Sequence, residues 1–271
     1  MTALVLGYIT LGVFAGIYGS IIGLGGGAII VPVLILVFHM DIRHTVAVSL
    51  CAVFANAFSG TIAYARQKRI DLRSGLWFAG VAIPGSLLGT LVVPYVPAQT
   101  FAVVFGTLFA VVGVFLFLKP SGFADKKGGG FPGEPRKITD AHGHTFKYRV
   151  SLERGLPFSF VAGGLSSLLG IGGGVLHMPA MILWLGFPHH IAVATSHFVI
   201  AISAFIGACV FLYQGQVLPL AATCISAGAI IGAQVGAKIS RSLSGTLVSR
   251  LLAVALMLIG IRMLLMSWWG K

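Results

Sequence analysis

Apolar positions in this chain do not alternate with a polar face. They run on for stretches of about 20 residues, separated by short polar segments, the pattern of membrane-crossing helices rather than of half-buried elements. At about 1.5 Å per residue such a run spans a hydrocarbon core of roughly 30 Å. Ten segments can be drawn. Five precede a polar interval, at 3–22, 26–38, 45–64, 75–93 and 99–118, and five follow it, at 156–169, 173–185, 191–212, 218–239 and 246–267. The second segment of each set is too short to cross a bilayer alone.

The two sets are copies. Residues 11–118 align on 158–265 without a gap, and the matches concentrate at Gly, Pro, Ala and Ser. Gly23-Leu24-Gly25-Gly26-Gly27 falls on Gly170-Ile171-Gly172-Gly173-Gly174, and Pro32 on Pro179. Val46-Ala47-Val48-Ser49 falls on Val193-Ala194-Thr195-Ser196, and Gly85 and Gly89 on Gly232 and Gly236. The expected organisation is therefore an N-terminal membrane repeat at 1–118, a basic linker at 119–154 and a C-terminal membrane repeat at 155–271. Its Lys, Arg, Gly and Pro mark the linker as solvated, with little fixed structure; His142-Gly143-His144 within it is either a weak metal site or an ordinary polar loop. Five crossings per half would invert one repeat relative to the other. Basic residues at 66–73, in the linker and at 238–250 then share one side, which the positive-inside rule makes cytoplasmic, whereas four crossings per half would put the last cluster outside. The fold class expected is an all-α polytopic membrane protein built of inverted five-plus-five repeats, each with a glycine-broken short helix.

Composition supports this picture. Of 271 residues 57% are hydrophobic and 9% charged, with mean hydropathy +1.00, too few charges to cover a soluble domain of this size. The net charge of +12 sits in loops flanking apolar runs, so it reads as a topology signal and not as a nucleic-acid surface. Cys51, Cys209 and Cys224 lie in apolar segments without CxxC spacing, which indicates neither a disulfide framework nor a thiolate metal site. The N-terminal apolar run continues past Ile22 without a cleavage site and is expected to be a retained span.

Candidate chemistry gathers at the glycine runs. Three successive glycines cannot sustain a helix, so Gly25, Gly26 and Gly27, and Gly172, Gly173 and Gly174, are expected to unwind before a new short helix begins. That would expose backbone N–H groups, and a helix N-terminus, to an anion at mid-membrane. The alternative is that these glycines only let helices cross closely. Ser49, Thr195 and Ser196, with Asn56 further along, could donate to oxyanion oxygens or bond only their own backbone. His177 and His197 lie inside apolar runs as a counter-charge, a proton carrier or satisfied structural histidines, and Gln234 is a weaker candidate. The acids Asp41, Asp71, Asp125, Glu134, Asp140 and Glu153 all fall in loops or at run ends. With no carboxylate at depth, a cation cargo is disfavoured and an anionic or neutral one expected. Neither an HExxH pattern nor a Cys-His pairing is present, so no enzyme, metal site or cofactor is indicated.

Taken together, the doubled Gly-x-Gly-Gly-Gly segments with a proline five residues on, the Ala-x-Ser elements and the Gly-x-x-x-Gly pairs resemble the sulfite exporter TauE/SafE family of bacterial membrane proteins. The resemblance implies transport of sulfite, a sulfonate such as sulfoacetate or another small organic anion, usually in the bacterial cytoplasmic (inner) membrane. Leu50 and Ile30 stand in the first half where His197 and His177 stand in the second, so a site symmetric between halves is in doubt. The expected function is secondary transport of a small anion, with export as the direction the family name implies, by alternating access around a midplane site. The alternatives are a metal-cation transporter and a non-transporting scaffold or receptor subunit. Expected partners are the anion and the lipid bilayer, without nucleic acid; a homodimer is compatible with the sequence.

Overall fold

The computed structural model describes residues 2–118, 133–240 and 245–269. Residues 119–132 of the linker, with Asp125, and Arg241 lie outside them. The described residues form ten α-helices and one β-hairpin. In order they are α1 (Thr2–Ile22), α2 (Gly27–Leu36), α3 (Ile42–Arg66), α4 (Leu72–Val92), a 3-10 turn at Val93–Tyr95, and α5 (Ala98–Leu118). The hairpin β1 (Glu134–Thr139) and β2 (Thr145–Val150) follows, then α6 (Leu152–Leu169), α7 (Gly174–Leu183), α8 (His189–Tyr213), α9 (Pro219–Ile239) and α10 (Gly245–Trp269). Among the described residues six helices, including α3, α4, α8 and α9, are long and apolar enough to cross a membrane; α2 and α7 are short apolar helices. In the ungapped repeat register, α2, α3 and α4 begin and end at the positions matching α7, α8 and α9.

Packing is reciprocal between the halves, and it exchanges a helix. The first helix of each half packs most extensively on the fourth helix of the other: α1 on α9, and α6 on α4. Around the crossing of the halves α3 packs on α8, and α5 on α10. The Gly-x-x-x-Gly pairs explain the exchange. A Cβ at Gly85 would lie 2.1 Å from the Phe160 carbonyl oxygen, and one at Gly89 2.0 Å from that of Gly164, so α4 and α6 touch backbone to backbone. Gly232 and Gly236 meet the carbonyls of Val13 and Ile17 on α1 in the same way. Lipid tails are as apolar as Leu, so association in a bilayer relies on such close contact.

The linker departs from expectation, because part of it is folded. Antiparallel β1 and β2 pair from Glu134 with Val150 to Thr139 with Thr145. Phe146, Tyr148 and Val150 alternate with Thr145, Lys147 and Arg149, a period of two that places one face against the membrane bundle. His142-Gly143-His144 forms the turn: the His142 and His144 N–H groups both donate to Asp140 Oδ1 at 2.9 Å. Burial pushes the Asp140 carboxyl up, but these backbone donors and the His144 ring outweigh it and hold it below its usual range.

Two buried aspartates dock the hairpin. Asp140 faces Arg69 at 3.9 Å. Asp71 caps α4 through Ser74, accepts from the Tyr148 hydroxyl at 2.9 Å, and lies 3.7 Å from Arg136 Nε. Burial and then the Asp71 charge push the Tyr148 phenol up, which keeps it a donor. Both carboxylates thus have an arginine partner beneath the hairpin, and neither lies bare at the centre of the bundle.

Two outcomes test this packing. Gly89→Ala should lower thermal stability in detergent, costing about 1–3 kcal/mol. Gly80→Ala, where an added Cβ meets open space, should stay within about 0.5 kcal/mol. Because Asp140 is held below its ordinary value, the stability it lends is complete above about pH 4 and is lost as pH falls through its folded value. Asp140→Asn should therefore speed backbone hydrogen exchange over 133–150 at neutral pH, where the wild-type hairpin stays protected.

Candidate functional site

Between α1 and α2, and again between α6 and α7, the backbone leaves the helical path at glycine. Gly23, Gly25 and Gly26 have positive φ, as do Gly170, Gly172 and Gly173, a region that any side chain would strain. Gly26 and Gly173 are the residues from which α2 and α7 start, at φ 84 and 93. Both loops are buried, and Leu24 and Ile171 at their centres are each 0% exposed.

The loops lie against one another. A Cβ at Gly27 would be 2.6 Å from the Gly170 carbonyl oxygen, and one at Gly174 2.3 Å from Leu24 Cα. Gly25 and Gly172 both abut Val53 and Ile200, a pair of matching positions on α3 and α8. The serines complete the reciprocity. Ser49 Oγ donates to the Gly170 carbonyl at 2.7 Å, and Ser196 Oγ to the Gly23 carbonyl at 3.1 Å. Each half's serine thus satisfies the terminal carbonyl of the other half's first helix, where a helix end would otherwise leave it open. Ser196 shares its proton with its own Val193 carbonyl at 3.0 Å.

The donors at this crossing are left over. Among the described residues no hydrogen bond takes the N–H of Gly25, Gly26, Gly27 or Ala28, nor that of Gly172, Gly173, Gly174 or Val175. These are the first-turn donors of two helices, reinforced by their dipoles. Unpaired polar side-chain atoms accompany them. Ser166 Oγ, beside the α7 start, has no partner, and neither has Asn56 Nδ2, although Ser166 is 1% and Asn56 0% exposed. Such an array of buried donors can accept an oxyanion in place of its hydration shell.

Two buried histidines border the array. His197 Nε2 is 3.3 Å from Ser20 Oγ, which bonds Asn56 Oδ1 at 3.0 Å; Tyr64 packs edge-on to the imidazole and donates to the Ser20 carbonyl at 2.6 Å. Gly60 makes room for the ring, since a Cβ there would lie 2.6 Å from His197 Cδ2. His177, in the first turn of α7, places Nε2 2.8 Å from Ser159 Oγ and Nδ1 3.2 Å from the Gly173 carbonyl.

Of the residues singled out in the sequence, the structure places Gly25, Gly26 and Gly27 and Gly172, Gly173 and Gly174 in two loops that abut, with Ser49 and Ser196 bonded to the Gly170 and Gly23 carbonyls of those loops. It joins Asn56 and His197 through Ser20, and sets His177 beside Gly173. Thr195 is elsewhere engaged: its Oγ1 accepts from the Asp71 N–H at 3.0 Å, which ties α8 to the start of α4 under the hairpin. Gln234 Nε2 donates to the Ser59 carbonyl and hydroxyl, both at 2.8 Å, and joins α9 to α3. Ser20, Tyr64, Ser159 and Ser166 were not singled out. Ser20 could have been, because its repeat match is Ser167, which makes an equally buried bond to Ser86 at 2.6 Å.

A polytopic helical chain whose two repeats cross at buried, donor-rich loops has the architecture of a membrane transporter. Comparison with known proteins agrees. The family profile described as sulfite exporter TauE/SafE matches residues 8–263. The probable membrane transporter protein YunE of Bacillus subtilis (strain 168) is 35% identical over 263 residues, covering 94% of this chain and 96% of its own. The probable membrane transporter protein YfcA of Escherichia coli (strain K12) is 25% identical over 226 residues, covering 81% and 74%. No solved structure matches. The chain belongs to the sulfite exporter TauE/SafE family and is a multi-pass membrane transporter.

The reciprocal serine bonds carry a stability prediction. Removing either leaves a buried carbonyl without its donor, at about 1–3 kcal/mol. Ser49→Ala should cost more than Ser196→Ala in thermal unfolding, because the Ser49 bond is shorter and unshared. The double variant should depart from additivity, since both bonds hold one contact.

Proposed function

We propose that this chain transports a small oxyanion, sulfite or a sulfonate, across the bacterial cytoplasmic membrane, and that the anion binds where the two glycine loops cross. The observation that carries this reading is the set of unclaimed N–H groups at the starts of α2 and α7. Buried donors without acceptors are expensive in a hydrocarbon interior, and a bound oxyanion repays that expense with several charge-assisted bonds at once. Asn56 Nδ2 and the Ser166 hydroxyl add neutral donors. The cation alternative finds less support, because the buried carboxylates Asp71 and Asp140 already face arginines. A scaffold would have no use for paired helix starts of this kind.

Alternating access is the mechanism proposed, with the repeats inverted about the crossing. The moving bodies are not the two sequence halves. Each half's fourth helix is packed into the other, so the natural units are α1, α2 and α3 with α9, and α6, α7 and α8 with α4. Residues of α1, α2, α3 and α9 share one apolar core that includes Tyr8, Leu34, Val48 and Ile225. On this reading the buried loops must part to open the crossing to one side at a time. The basic hairpin and the 66–73 loop are assigned to the cytoplasmic side by the positive-inside rule.

The test is flux of labelled sulfite or sulfoacetate in proteoliposomes. Wild type should move at least one of them, and Asn56→Ala, which also removes the acceptor of the Ser20 hydroxyl and so costs some thermal stability, should still fold and lose about tenfold or more in rate; loss of a donor to a charged ligand is worth about 1.5–3 kcal/mol. Thr195→Val, which removes only the bond to the Asp71 N–H, should transport within a fewfold of wild type. Flux that ignores Asn56→Ala, or flux of divalent cations in place of anions, would refute the reading.

A further inference from the structure

We propose that anion movement is coupled to protons, with His177 and His197 as the groups that take them up and release them; this rests on the anion reading above and adds its coupling ion.

Each ring depends on a serine hydroxyl that has one proton to give. His197 Nδ1 lies 3.3 Å from the Val193 carbonyl oxygen, and its Nε2 lies 3.3 Å from Ser20 Oγ. A serine hydroxyl has a single proton, and that of Ser20 is directed to Asn56 Oδ1. While it stays there, Ser20 offers the ring only a lone pair. Both ring nitrogens then face acceptors, and only an imidazole carrying two N–H groups satisfies both. If the ring gives up its Nε2 proton, the Ser20 hydroxyl can rotate and donate to that nitrogen. No heavy atom needs to move.

His177 repeats the arrangement on other helices. Its Nδ1 faces the Gly173 carbonyl and its Nε2 faces Ser159 Oγ, whose proton is directed to the Phe78 carbonyl at 2.9 Å. Here too the same frame serves one proton or two.

The surroundings decide what accompanies the second proton. His197 is faced by Ser20 of α1 and by Asn56, Gly60 and Tyr64 of α3. His177 is faced by Phe158 and Ser159 of α6, with the Phe78 carbonyl of α4 behind Ser159, and Ser166 lies on the same Gly173 as the ring. The one titratable side chain among these is Tyr64, and none is a carboxylate. Among the described residues neither ring forms an ion pair. A lone imidazolium in such a place is costly, and an anion on the neighbouring N–H groups supplies the missing counter-charge. Proton and anion then favour each other's binding by equal factors, so they bind and cross together. Each proton comes from water on the side of entry and returns to water on the side of release.

The duplication supplies the test substitutions. Leu50 and Ile30 occupy the matching positions in the first half, fully buried, so the repeat already accommodates those side chains. The probe is isethionate, whose sulfonate does not titrate between pH 5 and 8. Its binding to the purified full chain is measured by calorimetry in buffers of different ionisation enthalpy, which also reports the protons taken up. Wild type should bind more tightly as pH falls, by up to about tenfold per pH unit for each proton taken up. H177I/H197L should bind with an affinity that pH does not change and with no proton uptake. Should the double variant misfold, each single variant should lose part of the uptake, and the wild-type measurement decides alone. Binding by wild type that is independent of pH and takes up no proton overturns the coupling and leaves the anion site standing. A wild-type slope retained by the variants overturns the two histidines as its source, and absence of binding at every pH overturns the anion site itself.

Discussion

A backbone N–H buried away from water needs an acceptor, and this chain leaves such groups together, in the first turns of α2 and α7 where two loops cross in the interior. Everything near the crossing is arranged around that fact. Glycine is required because each loop uses three positive φ angles and because the loops approach within a distance no Cβ would permit. The carbonyls of Gly23 and Gly170, just past α1 and α6, are satisfied by Ser196 and Ser49, and the N–H groups of the first turns of α2 and α7 remain open. Open N–H groups at a helix start carry positive potential, the feature on which the proposed anion reading relies.

Duplication explains how one chain builds this. Each half supplies a loop, a helix start and a serine, and uses the serine on the partner's loop, so neither half can form the crossing alone. Exchange of the fourth helix, fixed by Gly85 and Gly89 against α6 and by Gly232 and Gly236 against α1, binds the halves further into two mixed bundles. The symmetry is then broken where polarity matters. His197 and its cavity at Gly60 correspond to Leu50 and Gly207, and Asn56 to Ser203, so the interior is polar in different ways on its two sides.

Much of this was legible in the residues. Uninterrupted apolar runs gave the helices to within a few positions, because a hydrocarbon solvent tolerates little else, and the repeat register assigned each loop its partner. What escaped was long-range. Thr195 reads like Ser196 in sequence, yet one helical step turns it to the Asp71 N–H instead of the loops. The hairpin at 134–150 was hidden by the Gly, Pro and Lys around it, although the alternation Phe146, Tyr148, Val150 was present. Ser20 and Ser159 looked like ordinary small residues of apolar helices, and only packing reveals that each holds a histidine.

The most direct measurement is a density map of the full chain with a bound sulfonate. Ligand density is expected at the crossing of the two loops, its oxygens within hydrogen-bonding distance of N–H groups at the starts of both α2 and α7. Density confined to the hairpin or the bundle surface, with the loops still closed on each other and their donors still unclaimed, would contradict it.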